Sequence, residues 1–220
     1  MATFLHIDTT HQHTFVGLSS TEGLMNQMIH TVPNEQAKML NTLINDLLSA
    51  HQLTIDNIDA IVNVAGPGSY TGVRVGMATA KGLAFAKDIP LIALNRLDVI
   101  AHAHHELTAV VVWLKARVGE VFLTKYENGA AVVEPIHLFT NEMELNILQN
   151  AVILTDDLNE IPADFQSQAQ LIEGEGFEVA TLHQMAIDAF DNQSFADLAY
   201  VEPFYMKEAF TTVPKKNKLL

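Results

Sequence analysis

Asp8 closes the apolar run Phe4–Ile7. A carboxylate at the end of a buried strand is where a phosphoryl-transfer enzyme would hold a metal ion. The second chemically suggestive stretch is Gly66-Pro67-Gly68-Ser69. A glycine-rich turn that opens a helix can cradle an anion on its backbone N–H groups, and Ser69 and Thr71 add hydroxyls able to cap that helix. Asp8, Gly68, Ser69 and Thr71 are thus the candidate anion- or nucleotide-proximal residues. The turn is not a Walker A loop, because no G-x-x-x-x-G-K-[ST] occurs. Asp8 alone cannot organise phosphoryl transfer, and its plainer role is a turn carboxylate accepting from Thr10 or a neighbouring N–H. Arg117 and Glu120 bracket a later turn. A surface ion pair and a partner-facing role are both open for them.

Ten histidines raise a metal reading, but no two are spaced i, i+4 and HExxH is absent. His102 and His105 share one helix face and His11 and His13 flank a turn, so all four read as solvated. The chain contains no cysteine. That excludes disulfides, a zinc knuckle and a thiol nucleophile, and fits a cytoplasmic protein without requiring one. No catalytic or metal-ligating set emerges, and no cofactor is required.

Hydrophobic residues make up 49% of the 220, enough for a full core. Apolar runs such as Ala109–Leu114 are far too short to span a bilayer, and no secretory signal is visible. Twelve basic residues face twenty-six acidic ones, for a net charge of −14. Phosphate-backbone affinity comes from Lys and Arg, so any RNA would be held by a partner and met only indirectly. The cluster Lys215, Lys216 and Lys218 reads as a solvated tail.

These residues need elements to position them. Alternation and turn residues predict strands over 2–8, 13–20 and 24–31. Leu40, Leu43, Ile44, Leu47 and Leu48 recur with helical spacing, which predicts a helix with Asn34 as its N-cap. A loop with a short turn around Thr54 and Asp56 follows, then a strand over 59–65 and a helix over 71–87. Next come a strand over 90–94 and a helix over 97–106. The second half begins with strands over 109–114, 120–127 and 132–138. It continues with a helix over 142–149, strands over 152–155 and 169–172, and a turn at Gly174–Gly176. A last helix covers 177–190, and the segment 200–210 packs across the body. The apolar runs ending in Asp8 and Lys115 each lead into a turn and a returning strand. Two related α/β subdomains are expected, 1–106 and 107–205, with a tail over 206–220.

The helix over 71–87 is unusual. Gly72, Gly76, Ala80 and Ala84 fall every fourth residue, and Gly82 adds a third glycine. Each glycine costs a helix about 0.8–1 kcal/mol relative to alanine. Close approach of another helix would offset that cost. The preferred reading is a face left open for a partner. The alternative is internal packing against the sheet.

The run GPGSYTGVRVGMATAKGLAFAKDIPLIALNRLDVIA resembles the signature of the TsaB (YeaZ) family, and FLHIDTT, ARVGEVF and GEG resemble its first strand, its second hairpin and a later turn. The resemblance runs to about Tyr205 and is strongest over 59–100. It implies an ASKHA (actin-like) fold and a non-catalytic relative of TsaD. TsaD forms N6-threonylcarbamoyladenosine at position 37 of tRNAs reading codons that start with A. It further implies that TsaD and TsaE are partners. In isolation the partner-facing surface should pair with itself in a two-fold dimer, and binding of ATP or ADP at the interface shared with TsaD stays open. That interface would use the first two helices. The expected partner-facing residues are therefore Leu40, Leu43, Leu47, Gly72, Val73, Gly76, Met77, Ala80 and Ala84. Two positions depart from the pattern: Lys115 stands where the family often has Asp, and Asn34 where it often has His. The first makes magnesium-nucleotide hydrolysis a poorer account. An ASKHA-type ATPase or small-molecule kinase is the alternative function, and a metallopeptidase comes third.

Overall fold

The computed structural model describes residues 2–167, 169–174 and 179–206. Two five-stranded sheets form its frame. The first contains β1 (Thr3–Asp8), β2 (Thr14–Ser20), β3 (Gly23–His30), β4 (Ala60–Val64) and β5 (Leu91–Leu94), in the order β3-β2-β1-β4-β5. The second contains β6 (Ala109–Arg117), β7 (Glu120–Glu127), β8 (Ala130–Phe139), β9 (Val152–Thr155) and β10 (Gln170–Glu173), in the order β10-β9-β6-β7-β8. In both, an antiparallel meander supplies three strands and two more extend the sheet in parallel from the first. The internal repeat expected from the two strand-turn-strand runs is therefore a repeat of topology. The architecture is α/β, two mixed sheets of matching strand order with helices packed on them.

β1 is covered on both faces, which is why its sequence is almost continuously apolar. Leu5 and Ile7 face α1 (Gln36–Ala50) and α2 (Tyr70–Lys87). Phe4 faces the other way, into a cluster with Val62, Val64 and Val99. Val99 belongs to α3 (Arg96–Ala103), a helix shared by both sheets. Leu97, Ile100 and Ala101 of α3 pack on Val110, Val112 and Leu114 of the second sheet. The far face of that sheet is closed by Trp113, Ile153 and Phe165, the last from the one-turn α4 (Ala163–Gln166).

Several expected boundaries move. Leu182 and Ala186 of α5 (Val179–Asp191) lie in the cluster with Phe4, Phe15 and Ala60. Beyond it, Ala196 N donates to Leu91 O at 2.8 Å and Phe204 N to Ala65 O at 2.9 Å. So the chain from α5 to Phe204 returns to the first sheet instead of completing a second unit over 107–205, and Met206 packs back against α3 and the second sheet. Asn34 is not the cap of α1. It adopts a left-handed φ of 63°, which asparagine tolerates, and Glu35 takes the cap position without a side-chain cap bond. The helix expected over 142–149 is two 3-10 turns, Thr140–Glu142 and Leu145–Leu148, each too short to propagate as an α-helix. The Gly174–Gly176 turn past Gly174, the start of the last helix, and the tail with Lys215, Lys216 and Lys218 lie outside the described residues. Among the described residues, no helix is long and apolar enough to cross a membrane.

Candidate functional site

The turn after β4 is held from two sides. Gly66 has a φ of 116°, and its carbonyl accepts from Arg96 N at 2.7 Å. Ser69 N donates to Thr10 O at 2.7 Å, and a side chain at Gly68 would run into the Thr10 backbone. Ser69 Oγ caps α2 by accepting from Gly72 N at 3.2 Å, while Thr71 lies exposed in the first turn. The Ser69 amide and hydroxyl are thus used within the chain. Asp8 Oδ1 accepts from Thr10 N at 2.6 Å, the turn role expected of it. Burial raises its carboxyl from 3.8 to about 6, against the opposing pull of the Arg96 guanidinium.

α2 has two unlike faces. The sequence expectation assigns Leu40, Leu43, Leu47, Gly72, Val73, Gly76, Met77, Ala80 and Ala84 to a partner interface, and the structure turns all nine inward. Leu40, Leu43, Leu47, Met77, Ala80 and Ala84 share one core cluster with Leu5, Ile7 and Ile61. A side chain at Gly72 would overlap the Thr9 carbonyl oxygen. One at Gly76 would meet Thr9 Oγ1 and, at 3.0 Å, Asn63 Oδ1. Thr9 Oγ1 also donates to Gly72 O at 2.7 Å, which pins the helix to the turn after β1. The inner glycines therefore admit the chain's own backbone. The internal alternative weighed above accounts for this stripe.

Gly82 has no such explanation. It sits opposite the buried stripe, and a side chain there would meet nothing within 4 Å among the described residues. Ala78 one turn earlier and Phe85 one turn later are exposed on the same side, Phe85 by 81%. Arg74 continues this face and stacks over Tyr70, 4.0 Å from the ring centroid, while its Nε donates to Tyr205 Oη at 2.8 Å. On the neighbouring α1, Lys38, Asn41, Thr42 and Asn45 are exposed. Helical spacing alone could have found this second face, but the stronger glycine stripe drew attention to the first.

Between the two sheets opens a cleft of about 740 Å³. Thr10, Gly68 and Ser69 line it from the first sheet's side, Lys115, Arg117 and Phe122 from the β6–β7 hairpin, and Arg96 and Asp156 from its floor. Arg96 Nη2 donates to Asp156 Oδ2 at 3.3 Å, an ion pair joining the two halves. Glu120, at the opposite end of the hairpin turn from Arg117, hydrogen-bonds His137 at 2.9 Å. Arg96 and Asp156 went unnoticed in the sequence. The only signal was an arginine opening a helix whose first turn is otherwise largely apolar. His102 and His105 are exposed as expected. Among the described residues, no group of three or more His, Asp or Glu could hold a metal ion.

A family model described as TsaD, tRNA N6-adenosine threonylcarbamoyltransferase, matches residues 11–215. The tRNA threonylcarbamoyladenosine biosynthesis protein TsaB of Escherichia coli is 32% identical over 131 residues, 57% of this chain and 56% of that protein. The TsaB protein of Haemophilus influenzae is 32% identical over 126 residues, 56% of this chain and 53% of that one. The chain thus spans about half the length of these curated relatives. YeaZ from Pseudomonas aeruginosa has the same fold, with a TM-score of 0.77 at 23% identity over 93% of this chain and 100% of that one.

Proposed function

Because the chain belongs to the TsaD family of tRNA N6-adenosine threonylcarbamoyltransferase relatives, and within it to the TsaB (YeaZ) group, we propose that it is a scaffold subunit that binds TsaD. Through that partner it supports N6-threonylcarbamoyladenosine formation at position 37 of tRNAs reading codons that start with A. In this reading the partner supplies the chemistry and holds the tRNA, in keeping with a net charge of −14 here. TsaE joins the larger assembly, the free chain pairs with itself through the same face, and ATP or ADP, where bound, sits at the surface shared with TsaD. The chain itself needs no cofactor.

The observation that carries the reading is Gly82. A mid-helix glycine costs about 0.8–1 kcal/mol, and among the described residues nothing lies close enough to require this one. Flanked by Ala78 and Phe85, it offers a flat strip with one aromatic anchor to an incoming helix. The face lies outward on α2, not on the inner stripe.

Co-purification with TsaD from the same organism tests this. Gly82→Arg should abolish association and leave the melting temperature unchanged or raised. If the variant still assembles with TsaD, the outward face is not the docking surface. A free chain that remains monomeric at high concentration would remove the homodimer.

A further inference from the structure

α2 carries charge of one sign. Its 18 residues include Arg74, Lys81 and Lys87 and no carboxylate, in a chain with twenty-six acidic residues. Two of the three cations are used locally. Lys81 Nζ donates to Val201 O at 2.9 Å, and Lys87 pairs with Asp56. Arg74 differs. Its guanidinium stacks 4.0 Å from the Tyr70 ring centroid and 5.6 Å from that of Tyr205, and its Nε donates to Tyr205 Oη at 2.8 Å. The residue is exposed, and neither Nη group has a hydrogen bond or an ion pair among the described residues. Tying down the segment after α5 does not require this arrangement. The Lys81–Val201 bond and the bond from Phe204 N to Ala65 O, 2.9 Å long, already hold that segment beside α2. What the two rings and the Nε bond add is a fixed plane for the guanidinium, with both Nη groups left as donors in water.

Arg74, Ala78 and Gly82 stand at i, i+4 and i+8, on one ridge of the helix. Arg74 is therefore continuous with the strip proposed above to receive TsaD. Phe85 lies eleven residues further along α2, roughly 16 Å up the axis. We infer that Arg74 is the electrostatic anchor of that interface, and that an Asp or Glu carboxylate on the docking helix of TsaD accepts two parallel N–H bonds from its Nη groups. The anchor rests on the docking face already proposed and adds the chemistry of what meets it. A guanidinium held in plane before binding loses little further freedom on binding, so Tyr70 and Tyr205 act as positioning residues. A helix with no carboxylate of its own suits an acidic partner, although the whole chain is acidic. The ridge also has a direction. The partner's carboxylate stands about three turns from the apolar surface that covers Phe85. Reversing the docking helix would set that apolar surface on the guanidinium and leave the carboxylate over Phe85.

Calorimetric titration of the full chain with TsaD from the same organism, at about 50 mM and about 500 mM salt, tests the anchor. Wild-type binding should weaken about threefold or more as salt rises. Arg74→Ala should bind at least about thirtyfold more weakly at low salt and lose most of the salt dependence. Its melting temperature should stay within about 2 °C of wild type, because the position is exposed. Tyr205→Phe keeps the ring and removes only the bond to Nε. It should weaken binding by about threefold to tenfold and keep the salt dependence, which a merely structural role for the segment would not predict. Binding by Arg74→Ala as tight as wild type, or weakened with its salt dependence intact, overturns the anchor. Gly82→Arg separates the anchor from the docking face. If Gly82→Arg blocks assembly while Arg74→Ala binds normally, the face stands and only the anchor falls. If Gly82→Arg assembles undiminished, the face itself is wrong.

Discussion

On its inner side α2 sets Gly72, Gly76, Ala80 and Ala84 against β1, β4 and the Thr9 turn; on its outer side it leaves Ala78 and Gly82 facing solvent. The inner glycines are required by atoms already present. The outer one is required by nothing among the described residues. Small residues at helical spacing therefore carry two meanings, and only the neighbouring backbone tells them apart. The inner face secures the fold, and the outer face is the one we propose for assembly. Each can be disturbed without the other.

The largest effect belongs to the inner face. Gly72→Val would place branched carbon on the Thr9 carbonyl, and backbone on both sides has no rotamer with which to yield. The Thr9 Oγ1–Gly72 O bond would go with it. We expect a loss of at least about 3 kcal/mol by urea denaturation. A variant as stable as wild type would mean that the inner face has slack, and the contrast between the faces would fail.

Much of the frame was legible before the structure. Strands with a buried alternation, such as β1 and β2, and helices with a full apolar stripe, such as α1, fall within a residue or two of their expected places. Their local pattern and their tertiary surroundings agree. The misses share a cause. The two 3-10 turns near 142–149 and the cap of α1 depend on backbone geometry that residue type constrains only loosely. The return of α5 to the first sheet is a long-range fact, invisible to any window along the chain. The site shows the same division. The Asp8–Thr10 turn bond is local and was foreseen. The Arg96–Asp156 pair, sixty positions apart, was not. The direction of the glycine stripe was misjudged because spacing fixes which residues share a face but not what that face meets.

The Asp8–Thr10 turn that closes the inner face also makes it sensitive to pH. Asp8 is protonated more readily folded, at about 6, than unfolded, at its ordinary 3.8. The folded state then binds more protons through this window, so stability falls as pH rises from about 4 to about 6, by up to about 3 kcal/mol. His6 acts in the opposite sense. Burial, and secondarily His183, lower it from 6.5 to about 3, so its contribution is present above 6.5 and is lost as pH falls towards 3. The two slopes oppose each other between about pH 4 and pH 6. Asp8→Asn keeps an acceptor for Thr10 N and removes one slope. It should be more stable than wild type at pH 7 by up to about 3 kcal/mol and nearly equal to it at pH 4. Denaturation midpoints at several pH values check this, and parallel curves for the two proteins would show that Asp8 titrates as an ordinary carboxylate.

The smaller effects bring the two faces into direct contrast through one substitution made on each. Gly76→Ala gains about 0.8–1 kcal/mol of helix propensity but presses carbon on Thr9 Oγ1 and, at 3.0 Å, on Asn63 Oδ1. Overpacking of that kind costs about 1–3 kcal/mol, so a net loss of roughly 1 kcal/mol is expected. Gly82→Ala gains the same propensity and meets nothing among the described residues. It should stabilise the free chain by about 0.8–1 kcal/mol. Opposite signs for one chemical change in one helix would establish the contrast by thermal or urea melts alone. The alanine at 82 has a second use. A methyl group is small enough to leave room for a partner helix, whereas the arginine side chain is not. If alanine stabilises the chain and preserves assembly while arginine preserves the fold and prevents assembly, Gly82 is kept for the space above it. If alanine already destabilises the free chain, that glycine answers to something within the fold, and the outer face loses its distinguishing feature.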